Sequence, residues 1–424
     1  MKIIPSKKSR MCQSKRLIKF CDVIIIKNLV YVTFIIFMIT MCFFLNMMIK
    51  ESEEVLEDRV MRLPTDLKYI LFWRKDTDLV NDIYQKYRYK LLEGQSLFIN
   101  QKCKYINCFI TYDKNLLRHN PRNFDAVVFN VKEIDNVKQK YLKLPRSPDQ
   151  LYIFNSMDSS ELFPVCLPVY DNFFNLTWTY RLDSNIPNPF FDIYDSNKSL
   201  IGPKTEIDWL INMKHTDQYK NITRKKTKAV AWVVNKCRSI TKHNQLIMDL
   251  VEELGGYNLT VDIFGHCGAT KCPNNDTLNC YKIIERDYYF NLVLEDSVAI
   301  DHITERMALA MMHYSIPLVK GGKEYERYLP PGSYININNQ TLKELGAIID
   351  YLIRNPDIYE YFFDWKQYYS YKVRPKDYVC DLCEFLNRNN DRRMIQGFRE
   401  WWNPFYFVEC HQKKMFDMFN INYD

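Results

Sequence analysis

Apolar positions fall in two distinct patterns along the chain. Residues 29–49 (LVYVTFIIFMITMCFFLNMMI) run 21 positions without a charge, which matches the length a helix needs to cross a hydrocarbon layer of about 30 Å. From residue 68 the apolar residues come instead in short runs rich in β-branched and aromatic side chains. KYILFW (68–73), NCFITY (107–112), DAVVFN (125–130) and LYIFN (151–155) are the first four. Such runs, separated by polar segments, predict buried strands. After the basic stretch DQYKNITRKKTK (217–228) the alternation resumes. KAVAWVV (228–234), LTVDIFG (259–265), FNLVLE (290–295), SIPLVK (315–320) and SYINI (333–337) predict strands, and TKHNQLIMDLVEEL (241–254) and TLKELGAIIDYL (341–352) predict helices. Strand–helix alternation implies an α/β fold with parallel sheets covered on both faces. Two such domains in tandem imply a cleft, with ligands at the C-terminal ends of strands.

These patterns divide the chain into a cytoplasmic tail (1–28), a membrane anchor (29–49) and an acidic stem (50–67). A first α/β domain (68–216), a linker (217–228), a second α/β domain (229–385) and a C-terminal segment (386–424) follow. A cleaved signal peptide would have a shorter apolar core and a small-residue cleavage site; here the run ends in Lys50 and the acids of ESEE.

Charge sets the orientation and removes one class of partner. Residues 1–28 carry eight Lys or Arg against the single acid Asp22, so the tail alone accounts for the +7 of the whole chain. The positive-inside rule keeps that tail in the cytosol and sends the body across the membrane. With the remainder neutral overall, no basic face for nucleic acid is implied.

Ten of the 13 cysteines follow the anchor, and an even set in an oxidising compartment favours disulfides. Cys103–Cys108 and Cys380–Cys383 are the expected local pairs. Zinc is the rival for CDLC (380–383) and CGATKC (267–272), but no second pair completes four ligands. The one Asp-x-Asp, Asp76 and Asp78, reads as loop acid, and no metal is expected. Six glycosylation sequons, Asn175, Asn197, Asn221, Asn258, Asn275 and Asn339, also follow the anchor.

The stretch EDSVAIDHITER (295–306) breaks off directly behind an apolar run and holds five charged residues and a histidine. At the end of a parallel strand and the start of a helix, it would offer free N–H groups to a phosphate. A capped, salt-bridged helix start is the alternative reading.

LEDS, then DHITER, then SIPLVKGG resembles the signature of the α1,3/4-fucosyltransferase family, and LPPGSYININ (329–338) and YEYFFDWKQYY (359–369) continue it. Upstream, KAVAWVVNKC, VDIFGHCG, NFFNLTWTYRLDSNI (172–186) and DQLYIFNSMDSS (149–160) are similar to further family segments. The resemblance implies a GT-B fold of two Rossmann-like domains, the second holding GDP-fucose and the first the acceptor. It implies inverting transfer of fucose in α1,3 linkage to a GlcNAc-containing glycan, without a cofactor, by a type II Golgi membrane enzyme. A Golgi-anchored homologue that binds glycans or partners without catalysis is the alternative, and transfer of another sugar is a third.

Carried over by position, the catalytic carboxylate falls on Asp158, one methylene shorter than the family's Glu, with Glu161 as a nearby substitute. The donor-binding set falls on Glu295, Ser297, Asp301, His302, Thr304, Glu305 and Arg306. Here Arg306 replaces a family Lys, His302 a Tyr, and Asp296 an Asn. A further phosphate contact falls on His243, with Lys236 and Arg238 as neighbouring cations. Tyr180 and Arg181 would line the cleft, although a structural Arg–Asp pair is an equal reading for Arg181.

Overall fold

A computed structural model describes residues 30–47, 66–73, 93–135, 146–235, 237–322, 324–374 and 378–411, apart from the side chains of 238–242 and 339. The tail, residues 50–65 of the stem, Asp76, Asp78 and Lys236 lie outside the described residues. Val30–Met47 is one helix with a mean hydropathy of 2.2, long and apolar enough to cross a membrane. The body, Leu63–Asp424, is a separate compact unit.

In the body all nine expected strands form. The first sheet contains β1 (Lys68–Phe72), β2 (Cys108–Thr111), β3 (Ala126–Asn130), β4 (Leu151–Ser156), β5 (Leu176–Thr179) and β6 (Ile186–Pro187). They pair in the order β2-β1-β3-β4-β5-β6, every neighbour parallel. Strands β7 (Phe191–Asp195) and β8 (Leu200–Gly202) leave this sheet. The second sheet, β9 (Lys228–Val233), β10 (Val261–Phe264), β11 (Tyr288–Leu294), β12 (Ile316–Lys320) and β13 (Ile335–Asn336), has the order β10-β9-β11-β12-β13 and is also all parallel. Late in the chain β14 (Tyr369–Val373) pairs antiparallel with β7 and so joins the two halves.

Burial on both faces explains the unbroken apolar runs of β3, β4 and β11. The helix Leu342–Arg354 begins at a capping box between Thr341 and Glu344, which satisfies two otherwise unbonded groups and contributes about 1 kcal/mol. One apolar cluster spans both sheets, bringing Phe129, Tyr152 and Phe154 together with Val293, Met307 and Val319. Each half therefore completes part of its core with the other.

Three expectations change. The linker is folded: Lys220–Thr223 is a helical turn, and Lys226 is 3% exposed with its ammonium donating to Tyr288 O at 2.9 Å. Burial pulls that ammonium down to about 7. Next, the boundary expected at 385/386 falls inside the helix Cys380–Arg388, which packs through Leu382 and Leu386 on Ile70, Ile110 and Trp178 of the first sheet. Finally, the local disulfides do not form. Cys380 and Cys383 lie on one face of that helix and reach Cys103 and Cys108 respectively, with Cα separations of 5.0 and 5.9 Å. Cys166–Cys410, Cys237–Cys267 and Cys272–Cys280 complete the pairing of all ten.

Of the sequons, Asn197, Asn221, Asn258 and Asn275 are exposed. Asn175 is not. It is 5% exposed, and its amide donates to Arg392 O at 2.7 Å while accepting the Tyr152 N–H at 2.8 Å. A side chain needed for these buried hydrogen bonds cannot carry a glycan in this fold.

Candidate active site

Strand β4 runs out into Met157–Glu161, and β11 runs out into Glu295–Thr304 before the helix Glu305–Met312. These are the C-terminal ends of strands in two parallel sheets, where ligands of such folds bind. The two loops touch each other. Ser159 and Ser297 join through their hydroxyls, and Glu161 Oε2 accepts the Val298 N–H at 2.8 Å.

Asp158 is half-buried at the start of the first loop. The Ser156 hydroxyl accepts its N–H at 3.0 Å and donates to its carbonyl at 2.8 Å, which sets the turn. Its carboxylate lies 3.2 Å from the ammonium of Lys132, the second residue after β3. Lys132 lies outside the expected set. It stands in no motif, and only the parallel pairing of β3 with β4 brings it beside Asp158.

The second loop is organised around Glu295, which is 2% exposed. Its Oε1 accepts both the N–H of Thr304 at 2.9 Å and the Thr304 hydroxyl at 3.1 Å, while its buried Oε2 has no hydrogen-bond partner among the described residues. Burial pushes the Glu295 carboxyl up to about 7, against the pull of Arg306 and the Thr304 hydrogen bonds. Gly321 packs against this residue. At φ +149°, a Cβ there would meet the Glu295 Cβ at 2.7 Å, so the position requires glycine.

Arg306 extends back along the strand end. Its guanidinium donates to Leu294 O at 3.1 Å and to Asp296 Oδ2 at 3.3 Å. Burial works against its charge, but Asp296, Glu295 and Glu305 outweigh that and hold the group above its usual range. Glu305, 8% exposed, opens the helix beside it. A fixed cation and a helix N-terminus thus stand together, the combination that accommodates a pyrophosphate.

Other expected residues have different partners. The Asp301 carboxylate accepts the Leu182 N–H at 3.1 Å and pairs with Arg327 at 3.0 Å, so it ties the second loop to the first half. His302, 8% exposed, packs edge-on against Tyr180 at 4.8 Å and Phe190 at 5.5 Å. Tyr180 is fully buried, and its hydroxyl accepts the Ser160 N–H at 3.0 Å, which makes it a support for the Asp158 loop. Arg181 follows the structural reading: it forks onto Asp183 at 2.9 and 2.8 Å and lies over the Trp401 ring. His243 is buried edge-on to Trp232, in the helix Cys237–Gly255. That helix is anchored at its start by Cys237–Cys267, and Asn235 accepts the His266 N–H at 2.9 Å beside it.

The C-terminal segment, expected as a tail, contributes directly to the site. Asn403 donates to Ser160 O at 3.0 Å, Trp402 Nε1 donates to Phe163 O at 2.9 Å, and Cys410 bonds Cys166. The paired tryptophans and the distant Cys410 were the available sequence signals. A separate group, His215, Asp217 and Glu360, is spaced closely enough to attract a cation. Lys220 and Arg224 already pair its carboxylates, each at 2.7 Å.

Comparison with known proteins identifies the family. A family model described as "Fucosyltransferase, N-terminal" matches residues 65–191, and one described as "Glycosyltransferase family 10 (fucosyltransferase) C-term" matches residues 223–401. Alpha-(1,3)-fucosyltransferase C of Drosophila melanogaster is 29% identical over 340 residues, covering 78% of this chain and 77% of that protein. Glycoprotein 3-alpha-L-fucosyltransferase A of the same fly is 27% identical over 326 residues, covering 73% of this chain and 57% of that protein. Human alpha-(1,3)-fucosyltransferase 4 is 26% identical over 272 residues, 61% of this chain and 46% of that one. A crystal structure of an alpha1,3-fucosyltransferase with GDP-fucose aligns over 81% of this chain and 97% of its own, at 13% identity and a TM-score of 0.44. With both halves matched in chain order, and both meeting at the paired loops, the chain belongs to glycosyltransferase family 10, the fucosyltransferases.

Proposed function

We propose that this chain transfers fucose from GDP-fucose to a GlcNAc-containing glycan in α1,3 linkage, with inversion, as a type II membrane protein of the Golgi. The observation that carries this is the meeting of a carboxylate loop and a cation-bearing helix start at the ends of β4 and β11. Asp158 accepts the proton of the acceptor hydroxyl, whose oxygen attacks the fucose anomeric carbon. The bond from that carbon to the GDP oxygen breaks on the opposite face. Negative charge then grows on the pyrophosphate, where Arg306 and the first N–H groups of the helix Glu305–Met312 stabilise it. The flank charges of the anchor, and not its length, support the lumenal placement of the body.

The Lys132–Asp158 and Arg306–Asp296 pairs favour a second reading, a homologue that binds glycans without turnover, because each occupies a group the chemistry needs. One assay separates the two. The full-length chain is incubated with GDP-fucose and a panel of N-glycan core and N-acetyllactosamine acceptors, and GDP release and product linkage are followed. A fucosylated product with an α1,3 linkage is expected. Glycan binding without transfer or GDP-fucose hydrolysis would select the second reading.

A further inference from the structure

We propose that Glu161 is a positioning residue that couples the carboxylate loop to the donor loop, and not a proton acceptor; this rests on the transferase reading above. Two similar turns face each other across the halves. In one, the Ser159 hydroxyl accepts the Glu161 N–H at 3.1 Å, and in the other the Ser297 hydroxyl accepts the Ala299 N–H at 3.1 Å. Both serines are at most 1% exposed, and their hydroxyls bond each other. Glu161 then closes the junction by accepting the Val298 N–H at 2.8 Å.

The junction lies one residue from Asp158 on one side and one residue from Asp296, the partner of Arg306, on the other. Any shift of the donor loop as a nucleotide diphosphate binds therefore moves the backbone that carries Asp158. The far side of the carboxylate loop is held independently, by Tyr180 on the Ser160 N–H and Asn403 on the Ser160 carbonyl. Pinned there, the loop transmits displacement instead of yielding to it. A carboxylate bound to a backbone N–H at 2.8 Å is an acceptor in a structural hydrogen bond, and an amide oxygen can fill the same role. A general base cannot be replaced in that way.

The test compares Glu161→Gln and Glu161→Ala in the full-length chain, by transfer kinetics and by calorimetric titration with GDP. E161Q is expected to stay within about threefold of the unaltered chain in kcat and in KM for GDP-fucose, because its amide oxygen still accepts the Val298 N–H. E161A is expected to lose about tenfold or more in kcat, the order that misplacement produces, and to bind GDP several-fold more weakly. If E161Q is as inactive as E161A while GDP affinity is unchanged, the positioning role is wrong and Glu161 is the base. If neither variant changes GDP affinity or kcat, the junction couples nothing. Should E161A fail to fold, the activity of E161Q alone decides. Should the unaltered chain form no product, the transferase reading fails, and the titration still decides the coupling: GDP binding weakened in E161A and restored in E161Q supports it, and equal binding overturns it.

Discussion

The Lys132 ammonium stands 3.2 Å from the Asp158 carboxylate, joining the helical turn after β3 to the loop after β4. Both side chains are 35% exposed, so the pair is open to an incoming hydroxyl and its own stability contribution is small. In the transferase reading proposed above, its role is to orient the Asp158 carboxylate. Asp158→Ala is expected to lower transfer by about 100-fold or more while GDP affinity holds within about twofold. Lys132→Met is expected to cost a smaller factor, about three- to tenfold in kcat, again with GDP binding unchanged. Transfer kinetics beside a GDP titration check both.

Arg306 spans two acceptors, the Leu294 carbonyl and the Asp296 carboxylate. A lysine reaches one of them, so the charge survives and the two-point hold does not. Arg306→Lys is therefore expected to reduce transfer by about tenfold or more, although it keeps the charge. Asp296→Asn removes a negative charge beside the expected pyrophosphate and is expected to tighten GDP binding by about three- to tenfold. Calorimetry on the two variants reads this directly, and weaker GDP binding by D296N would contradict the placement of the diphosphate.

Burial raises the Glu295 carboxyl to about 7, above the value of a free side chain. The sign follows from linkage. Between the unfolded and folded values the native state binds more protons, so the contribution is full below about pH 4.5 and is lost as pH rises through about 7. Glu295→Gln cannot titrate, and its melting temperature is expected to change less than that of the unaltered chain between pH 5 and pH 7.5. Parallel curves for the two proteins would contradict a buried, protonatable Glu295.

Cys103–Cys380 and Cys108–Cys383 close almost the same long loop, spanning 277 and 275 residues. Breaking either leaves the other to hold that loop, so only a short ring opens, at a cost of about 2–3 kcal/mol. Breaking both also opens the larger ring that runs through Cys166–Cys410, on the order of 7 kcal/mol in all, enough to unfold a domain of ordinary stability. Cys108→Ala and Cys380→Ala singly are expected to fold with lowered melting temperatures. The double variant, which loses both bridges, is expected to fail, and denaturant titration of the three measures the non-additivity.

How much of this was legible in the sequence depends on the range of the interaction. Strands β1 to β4 and β9 to β13 were legible because each is a short apolar run buried on both faces. Strands β5 to β8 and β14 carry no such signal. In β6, β7 and β14 the apolar residues are interrupted by Pro187, Asp192, Asp195 and Lys372, β5 and β8 are only four and three residues long, and β14 becomes a strand only by pairing with β7. The donor loop was legible as a polar break behind β11, yet nothing local in DHITER tells that Asp301 and His302 engage the first half while Arg306 stays at the strand end.

The sequence alone therefore determined the apolar segment, nine of the strands in their order along the chain, and the division into two α/β halves. Each of these is written in runs of neighbouring residues, as hydropathy, period or local motif. The tertiary structure decided which cysteines pair, that Lys132 stands beside Asp158, that the C-terminal segment supports the carboxylate loop, and that Glu161 meets Val298. Those depend on contacts between residues far apart in the chain, and proximity of that kind arises only when the sheets are assembled and packed.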